Sequence, residues 1–81
     1  VALSRNPVQG KASLTVEWPT QDDATIDVYD LQGRHVRNEF RGLASGITEH
    51  TFRSQGLAPG VYLVSARQGK VQSTRRITVL D

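Results

Sequence analysis

Apolar and polar side chains alternate along this chain with a period of two. From Ala12 to Trp18 every even position is apolar and every odd position is polar. The same pattern runs from Ala24 to Tyr29. Alternation of this kind is typical of a β-strand with one buried and one solvated face. We therefore predict two strands whose inward residues are Ala12, Leu14, Val16, Trp18, Ala24, Ile26 and Val28.

Similar patterns predict four more strands, at His35–Arg41, Ile47–Arg53, Val61–Arg67 and Gln72–Leu80. In His35–Arg41 the alternation predicts a charged outer face and an inward face of Val36, Asn38 and Phe40. Val61–Arg67 is apolar on both faces over its first half, which favours a central strand. The last strand is expected to place Ile77 and Val79 inward.

Glycine, proline and aspartate mark the connections between these strands. Asp30-Leu31-Gln32-Gly33 has Asp and Gly at the end positions that a type I turn favours. Pro59-Gly60 suits the two central positions of a type II turn, since Pro fixes φ and Gly tolerates positive φ. We also predict a loop at Gly42–Gly46 and a tight turn at Gln68-Gly69.

Short strands separated by turn residues, without a convincing helical period, predict an all-β fold. The expected architecture is a small immunoglobulin-like β-sandwich of about seven antiparallel strands, the first of them within Ala2–Arg5. A chain of 81 residues has room for one such domain, spanning residues 1–81. Because the chain begins at Val1 and contains no Met, we expect it to be a fragment of a larger protein.

Composition narrows the classes of function. Cysteine is absent, which excludes disulfides and thiolate metal sites within the chain. The net charge of +2 is small, and basic and acidic residues are interspersed, so nucleic-acid or membrane-surface binding is not indicated. No apolar run is long enough to cross a bilayer, so no transmembrane segment is predicted, and the first residues lack the layout of a signal peptide.

Candidate catalytic and metal-binding residues are few. The two histidines, His35 and His50, fall on separate predicted strands without a nucleophile or carboxylate at telling positions, so we predict no enzymatic activity. Asp22-Asp23 are two adjacent carboxylates without further oxygen ligands in the sequence, a pattern more typical of a turn than of a calcium site. No metal and no cofactor is predicted.

Four segments, taken in order, resemble a known family. They are Asn6-Pro7-Val8, residues 24–36 with Tyr29-Asp30-Leu31-Gln32-Gly33-Arg34 at their centre, residues 56–64 (Gly-Leu-Ala-Pro-Gly-Val-Tyr-Leu-Val), and residues 75–81 (Arg-Arg-Ile-Thr-Val-Leu-Asp). Their order and spacing resemble the type A C-terminal sorting domains of the type IX secretion system, which occur on secreted proteins of Bacteroidota. The resemblance covers nearly the whole chain.

The resemblance implies a non-catalytic secretion signal. In that family the parent protein passes through the periplasm, and an outer-membrane translocon recognises the domain and exports the parent to the cell surface or the medium. A surface sortase usually then joins the parent to an anionic lipopolysaccharide. Recognition is implied for the last strand, at Arg75, Arg76, Ile77, Thr78, Val79 and Leu80, with Pro59, Gly60 and Tyr62 shaping the neighbouring strand.

The last strand also suggests how a partner recognises it. If the strand has a free edge, a partner adds a strand of its own, with main-chain bonds giving affinity and the arginines fixing the register. The family commonly ends on Lys or Arg, whereas this chain ends on Asp81. We therefore expect either that the terminal charge matters less here than in other members or that the secretion machinery of this organism has a different preference.

Two other classes stay open. A carbohydrate-binding module needs a row of exposed aromatic side chains, and outside the predicted core the chain has two candidates, Tyr29 and Tyr62. An immunoglobulin-like spacer resembles the domain of flagellar hook-capping proteins, whose Tyr-Asp-Leu-Gly-Arg and Gly-Val-Tyr pieces are similar. Position separates these classes, because a sorting domain lies at the extreme C-terminus of its precursor and a spacer need not.

Overall fold

Seven β-strands make up the regular structure of the computed structural model, which describes residues 1–80. The strands are β1 (Ala2–Leu3), β2 (Lys11–Glu17), β3 (Asp22–Asp30), β4 (His35–Ala44), β5 (Ile47–Arg53), β6 (Gly60–Gln68) and β7 (Val71–Val79). They form a three-stranded sheet in the order β1-β2-β5 and a four-stranded sheet in the order β4-β3-β6-β7. All pairs of these strands are antiparallel. The predicted small all-β sandwich is confirmed.

The core lies between the two sheets and is formed by alternate residues of their strands. All the predicted inward residues of β2 and β3 are buried, and so is Trp18 just beyond β2. Phe52 of β5 is the largest fully buried side chain. Burial of apolar area is the main stabilising term in a sandwich of this size. The core residues are Val8, Ala12, Leu14, Val16, Trp18, Ala24, Ile26, Val28, Ala44, Phe52, Val64, Ala66, Ile77 and Val79.

The side chains of β4 do not all point to the faces of the sheet that the sequence predicted. Its register with β3 shifts by one residue at two places, and each such bulge turns the side chains beyond it to the opposite face. As a result Asn38 lies opposite Asp27 on the outer face, and Val36 is 37 % exposed. Phe40 alone of the predicted inward set packs against the core. The prediction was wrong for Asn38 and Val36, because strict alternation carries no signal for a bulge.

Arg37, which was predicted to face outward, lies across the opening between the sheets instead. Its guanidinium carbon stands 5.2 Å from the centroid of the Phe52 ring. The guanidinium also donates hydrogen bonds to the carbonyl oxygens of Arg53 and Gln55 and pairs with the Glu39 carboxylate at 3.0 Å. These contacts supply the charged group with partners in a half-buried position.

Of the predicted turns, the one at Asp30–Gly33 is confirmed, and the one before β7 occurs at a shifted position. The Gly33 N–H donates to the Asp30 carbonyl at 3.0 Å, as in a type I turn. The tight turn between β6 and β7 lies one residue further on than predicted, at Gly69-Lys70. Gly69 takes a φ of +59° at the first central position, as a two-residue hairpin with a type II′ turn requires.

The other two connections differ from the prediction. β4 continues to the buried Ala44, so the Gly42–Gly46 loop is reduced to Ser45-Gly46. Before β6 the hydrogen-bonded turn is closed by the Leu57 N–H and the Ser54 carbonyl at 3.0 Å, with Gly56 at a φ of +86°. The type II turn predicted at Pro59-Gly60 was wrong, because Gly60 already pairs with β7 as the first residue of β6.

Gln68, at the end of β6, is a buried polar residue that ties the ends of several strands together. Its amide nitrogen lies 3.0–3.1 Å from the carbonyl oxygens of Thr20, Asp22 and Ala44, and its amide oxygen accepts the Thr20 N–H at 3.1 Å. These bonds satisfy main-chain groups that burial would otherwise leave without partners. The connection between the two sheets is thereby fixed beside the hairpin that leads into β7.

Candidate recognition surface

The last strand, β7, lies at the edge of the four-stranded sheet, where β6 is its neighbour. Its register with β6 is unbroken from the pair of Gly60 and Val79 to the pair of Gln68 and Val71. The sharp turn at Gly69-Lys70 sets this register, since a two-residue hairpin leaves no slack between its strands. The implied recognition residues Arg75 to Val79 therefore lie in an extended strand, and Leu80 lies one residue beyond it. The terminal Asp81 lies outside the described residues.

The side chains of this row divide into buried and accessible ones. Ile77 and Val79 are 0 % and 1 % exposed, respectively, as predicted, because the second sheet covers this half of the strand. Arg75 and Arg76 are exposed on opposite faces of the sheet, since neighbouring strand residues point in opposite directions. Leu80 is 45 % exposed. A partner of the folded domain can touch the arginines and Leu80 but not the two core residues.

A short segment near the start of the chain, Asn6-Pro7-Val8, covers part of the outer edge of β7; we call it the strap. The Val8 N–H donates to the Thr78 carbonyl at 2.7 Å, and the Val8 carbonyl accepts the Leu80 N–H at 2.8 Å. The strap runs parallel to β7, and the Val8 side chain is fully buried in the core. The first and last parts of the domain are thus packed together.

The Asn6 side chain extends this pairing by one step. Its amide nitrogen donates to the Arg76 carbonyl at 3.2 Å, and its amide oxygen accepts the Thr78 N–H at 3.0 Å. A carboxamide has the same donor and acceptor as a peptide group, so it substitutes for a strand residue at this edge. Asn6-Pro7-Val8 is one of the segments that carry the family resemblance, but the sequence did not predict its contact with β7.

Replacing Asn6 tests the strength of the strap. Asn6→Ala removes both side-chain bonds to β7 and is expected to lower the free energy of unfolding by about 1–2 kcal/mol. Urea unfolding followed by circular dichroism measures the change, with Arg5→Ala as the neighbouring control because Arg5 is exposed. Equal midpoints for Asn6→Ala and Arg5→Ala would show that the strap contributes no stability.

The residues implied to shape the neighbouring strand lie beside the end of β7. Gly60 pairs with Val79 and Tyr62 pairs with Ile77. The Tyr62 hydroxyl donates to the Ala58 carbonyl at 2.6 Å, which holds the segment around Pro59 against the start of β6. These three residues are thus placed to support the end of the last strand, while their part in recognition stays a prediction.

Positive charge is concentrated on the β6–β7 hairpin. Residues 60–80 contain Arg67, Lys70, Arg75 and Arg76 but no Asp or Glu. None of these four cations takes part in an ion pair among residues 1–80. The rest of the chain carries a net negative charge, because the whole has only +2. The edge formed by β7 therefore presents unpaired positive charge to solvent.

On the outer face of the same sheet, Asp27 is the centre of a small polar cluster. Its carboxylate lies 2.8 Å from the His35 Nε2 and accepts the Asn38 amide at 3.0 Å. Burial raises the pKa of Asp27, but the hydrogen bonds from Asn38, His35 and Thr25 outweigh it and hold the pKa below its ordinary value. These hydrogen bonds hold the carboxylate in its ionised form against the neighbouring strand, which favours a structural role for the cluster.

His50 lies in a second, separate cluster between the sheets. Its Nε2 is 2.9 Å from the Thr48 hydroxyl, which also accepts the Trp18 indole N–H at 2.9 Å. Burial lowers the pKa of His50, although the Glu39 carboxylate acts in the opposite direction. No group of three or more His, Asp or Glu that could hold a metal ion occurs among residues 1–80, and no helix in that range could span a membrane.

The aromatic residues do not form an exposed row on the part of the chain that is described. Trp18 and Phe52 are buried, and Phe40 packs against the core. Tyr62 also packs against the core, and Tyr29 is half-buried with its ring in edge contact with His35 at a centroid distance of 5.4 Å. Stacking on a sugar chain needs several open aromatic faces, so this arrangement argues against a carbohydrate-binding surface.

Comparison with protein families gives a match that spans almost the whole chain. A family model described as "Secretion system C-terminal sorting domain" matches residues 6–80. The matched range starts at the strap and includes all of β7. Searches of curated proteins and of solved structures found no match.

Proposed function

The chain belongs to the family of C-terminal sorting domains of type IX secretion, and on this premise we propose that its last strand is the surface that the outer-membrane translocon recognises. Membership implies a sorting signal, interaction with the secretion machinery, and export toward the cell surface or the extracellular space. The observation that carries the finer proposal is the positively charged edge at Arg75 and Arg76, which forms no ion pair among residues 1–80 and which a partner can reach without unfolding the domain.

Within this proposal the residues of β7 have different roles. Arg75, Arg76 and Leu80 contact the translocon, because their side chains are exposed. Ile77 and Val79 fix the strand to the core, and Thr78 receives the strap. Pro59, Gly60 and Tyr62 support the end of β7 from the side of β6.

The later steps of export rest on the family alone. In this proposal the parent crosses the periplasm, and a surface sortase removes the domain and joins the parent to lipopolysaccharide. The domain itself is non-catalytic, which is supported by the hydrogen bonds that hold both histidines: His35 is bonded to the Asp27 carboxylate, and His50 to the Thr48 hydroxyl, which also accepts the Trp18 indole N–H.

A delivery assay tests the proposal. Residues 1–81 are fused behind a signal peptide and a fluorescent protein, and the surface or secreted fraction is measured in a bacterium with type IX machinery. Arg75→Ala, Arg76→Ala and Leu80→Ala together are expected to lower delivery about tenfold, because interface arginines commonly dominate binding energy.

The matched control changes two exposed cations and one exposed apolar residue on the other sheet, with Lys11→Ala, Arg53→Ala and Ile47→Ala. Its delivery is expected to stay within about twofold of the wild type, since surface substitutions away from a contact have little effect. Retention of the wild-type fusion in the periplasm contradicts the sorting function in that host. Normal delivery of the β7 variant contradicts the assignment to these three side chains.

A further inference from the structure

The outer edge of β7 is divided into a covered part and an open part. In an antiparallel pair, alternate residues direct both their N–H and C=O groups away from the neighbouring strand. Thr78 is one of these, because its N–H and C=O bond to the strap. The register with β6 is unbroken, so Arg76, Thr74 and Gln72 also direct their main-chain groups outward.

The strap reaches no further than the Arg76 carbonyl. Beyond it, the main-chain groups of Gln72 and Thr74 and the N–H of Arg76 have no partner among residues 1–80; we call these groups the open edge. Unpaired main-chain N–H and C=O groups at the edge of a sheet are where a further strand commonly binds. The open edge is therefore a docking position that differs from the covered stretch at Arg76–Leu80.

Displacement of the strap is the more costly way for a partner to add a strand to β7. Four hydrogen bonds hold the strap to β7, and the Val8 side chain is 0 % exposed. Removing the strap exposes core surface as well as breaking these bonds. Docking on the open edge requires neither.

The charge around the open edge selects the kind of partner. Arg75 and Arg76 flank it on opposite faces of the sheet, Lys70 and Arg67 lie at its other end, and no acidic residue lies within residues 60–80. A second copy of this chain paired antiparallel about Thr74 would make the two Arg75 side chains diagonal neighbours on one face of the sheet, where their like charges repel. An acidic strand would complement them.

We propose that the open edge binds an extended, acidic segment of the secretion machinery, which adds a fifth strand to the four-stranded sheet. This inference rests on the proposed sorting function and adds to it the main-chain contact and the chemistry of the partner. The arginine side chains then set the register of the added strand, while Gln72 and Thr74 provide its hydrogen bonds.

Thr74→Pro tests the main-chain contact. Proline is tolerated on an edge strand whose N–H faces solvent, but it removes that N–H and its ring obstructs an added strand. Delivery of the fluorescent fusion is expected to fall about tenfold, which corresponds to the loss of one or two hydrogen bonds. Thr74→Val is the control, because it keeps the N–H and is expected to be delivered like the wild type.

Circular dichroism and thermal melting of each variant establish that it folds. If Thr74→Pro does not fold, the double charge reversal Arg75→Glu and Arg76→Glu tests the acidic partner instead, because it leaves the main chain of β7 intact. This variant is expected to abolish delivery, since its carboxylates repel an acidic strand. The control variant with Arg75→Lys and Arg76→Lys keeps both positive charges, and its delivery is expected to stay close to that of the wild type.

The outcomes separate the two proposals. Delivery of wild type and of folded Thr74→Pro to the same extent overturns the open-edge inference and leaves the sorting function standing. Failure of wild-type delivery overturns the sorting function and with it the inference. Concentration-dependent dimers in sedimentation, lost in Thr74→Pro and kept in Thr74→Val, would identify a second copy as the occupant and overturn the acidic partner.

Discussion

A chain that ends at Thr74 is expected to lose its cooperative unfolding transition altogether. The truncation removes Ile77 and Val79 from the core, and burial of each contributes about 1.5–3 kcal/mol. It also removes the acceptors and donors that hold the strap, so Val8 loses its support. A domain of this length has a total stability of roughly 4–12 kcal/mol. These losses together approach the whole of it.

Urea unfolding of residues 1–74 and 1–81, followed by circular dichroism, measures this effect. A sloping, non-cooperative change is expected for residues 1–74 and a sigmoidal one for residues 1–81. The triple variant of Arg75, Arg76 and Leu80 serves as the control, because it alters the same stretch without touching the core. A cooperative transition for residues 1–74 would mean that β7 is not needed for folding. The expected result also means that truncation alone cannot separate a recognition role from a folding role.

Gln68→Ala is expected to lower the free energy of unfolding by about 2–4 kcal/mol. The substitution leaves the carbonyl oxygens of Thr20, Asp22 and Ala44 without their donor, and a buried unsatisfied group costs about 1–3 kcal/mol. Gln68 itself is 4 % exposed, and its bond to the Ala44 carbonyl is buried while those to Thr20 and Asp22 are partly buried, so the largest loss is expected at Ala44. A leucine at this position fills the volume but does not replace the donor.

Gln72→Ala is the matched control for Gln68→Ala. Gln72 is an exposed residue of β7 whose amide makes one side-chain bond, to the Ser65 hydroxyl at 2.8 Å. Its loss is expected to cost at most about 1 kcal/mol. Urea midpoints of the two variants give the comparison. Equal midpoints would show that burial of Gln68 is not what makes its bonds important.

The two-residue period was sufficient to predict the core residues of strands in which side chains alternate between the two faces without interruption. In β2 and β3 each buried position is apolar, so alternation alone identifies the core residues, from Ala12 to Val28. In β4 it was not sufficient, because the two bulges depend on pairing with β3 and leave no mark in the local pattern. The same holds for Gln68, whose partners are separated from it by 24–48 residues in the sequence.

The candidate site was predicted in part. The buried Ile77 and Val79 follow from local alternation in the last strand. Arg75 shares their face of the strand, so its exposure does not follow from alternation. The strap does not, because its side-chain bonds join residues 70 and 72 positions apart and the Asn6 side chain acts in place of a main-chain group. The division of the edge into covered and open parts is therefore visible only in three dimensions.

The parallel direction of the strap has a mechanical consequence. When residue 1 and residue 80 are pulled apart, the strap and the end of β7 slide along each other, because they run in the same direction. The bonds between them then bear the load together, whereas a hairpin pulled open from one end breaks its bonds singly. Forced unfolding is governed by a rate, and this geometry slows it. The strap is thus placed to resist tension applied between residues 1 and 80.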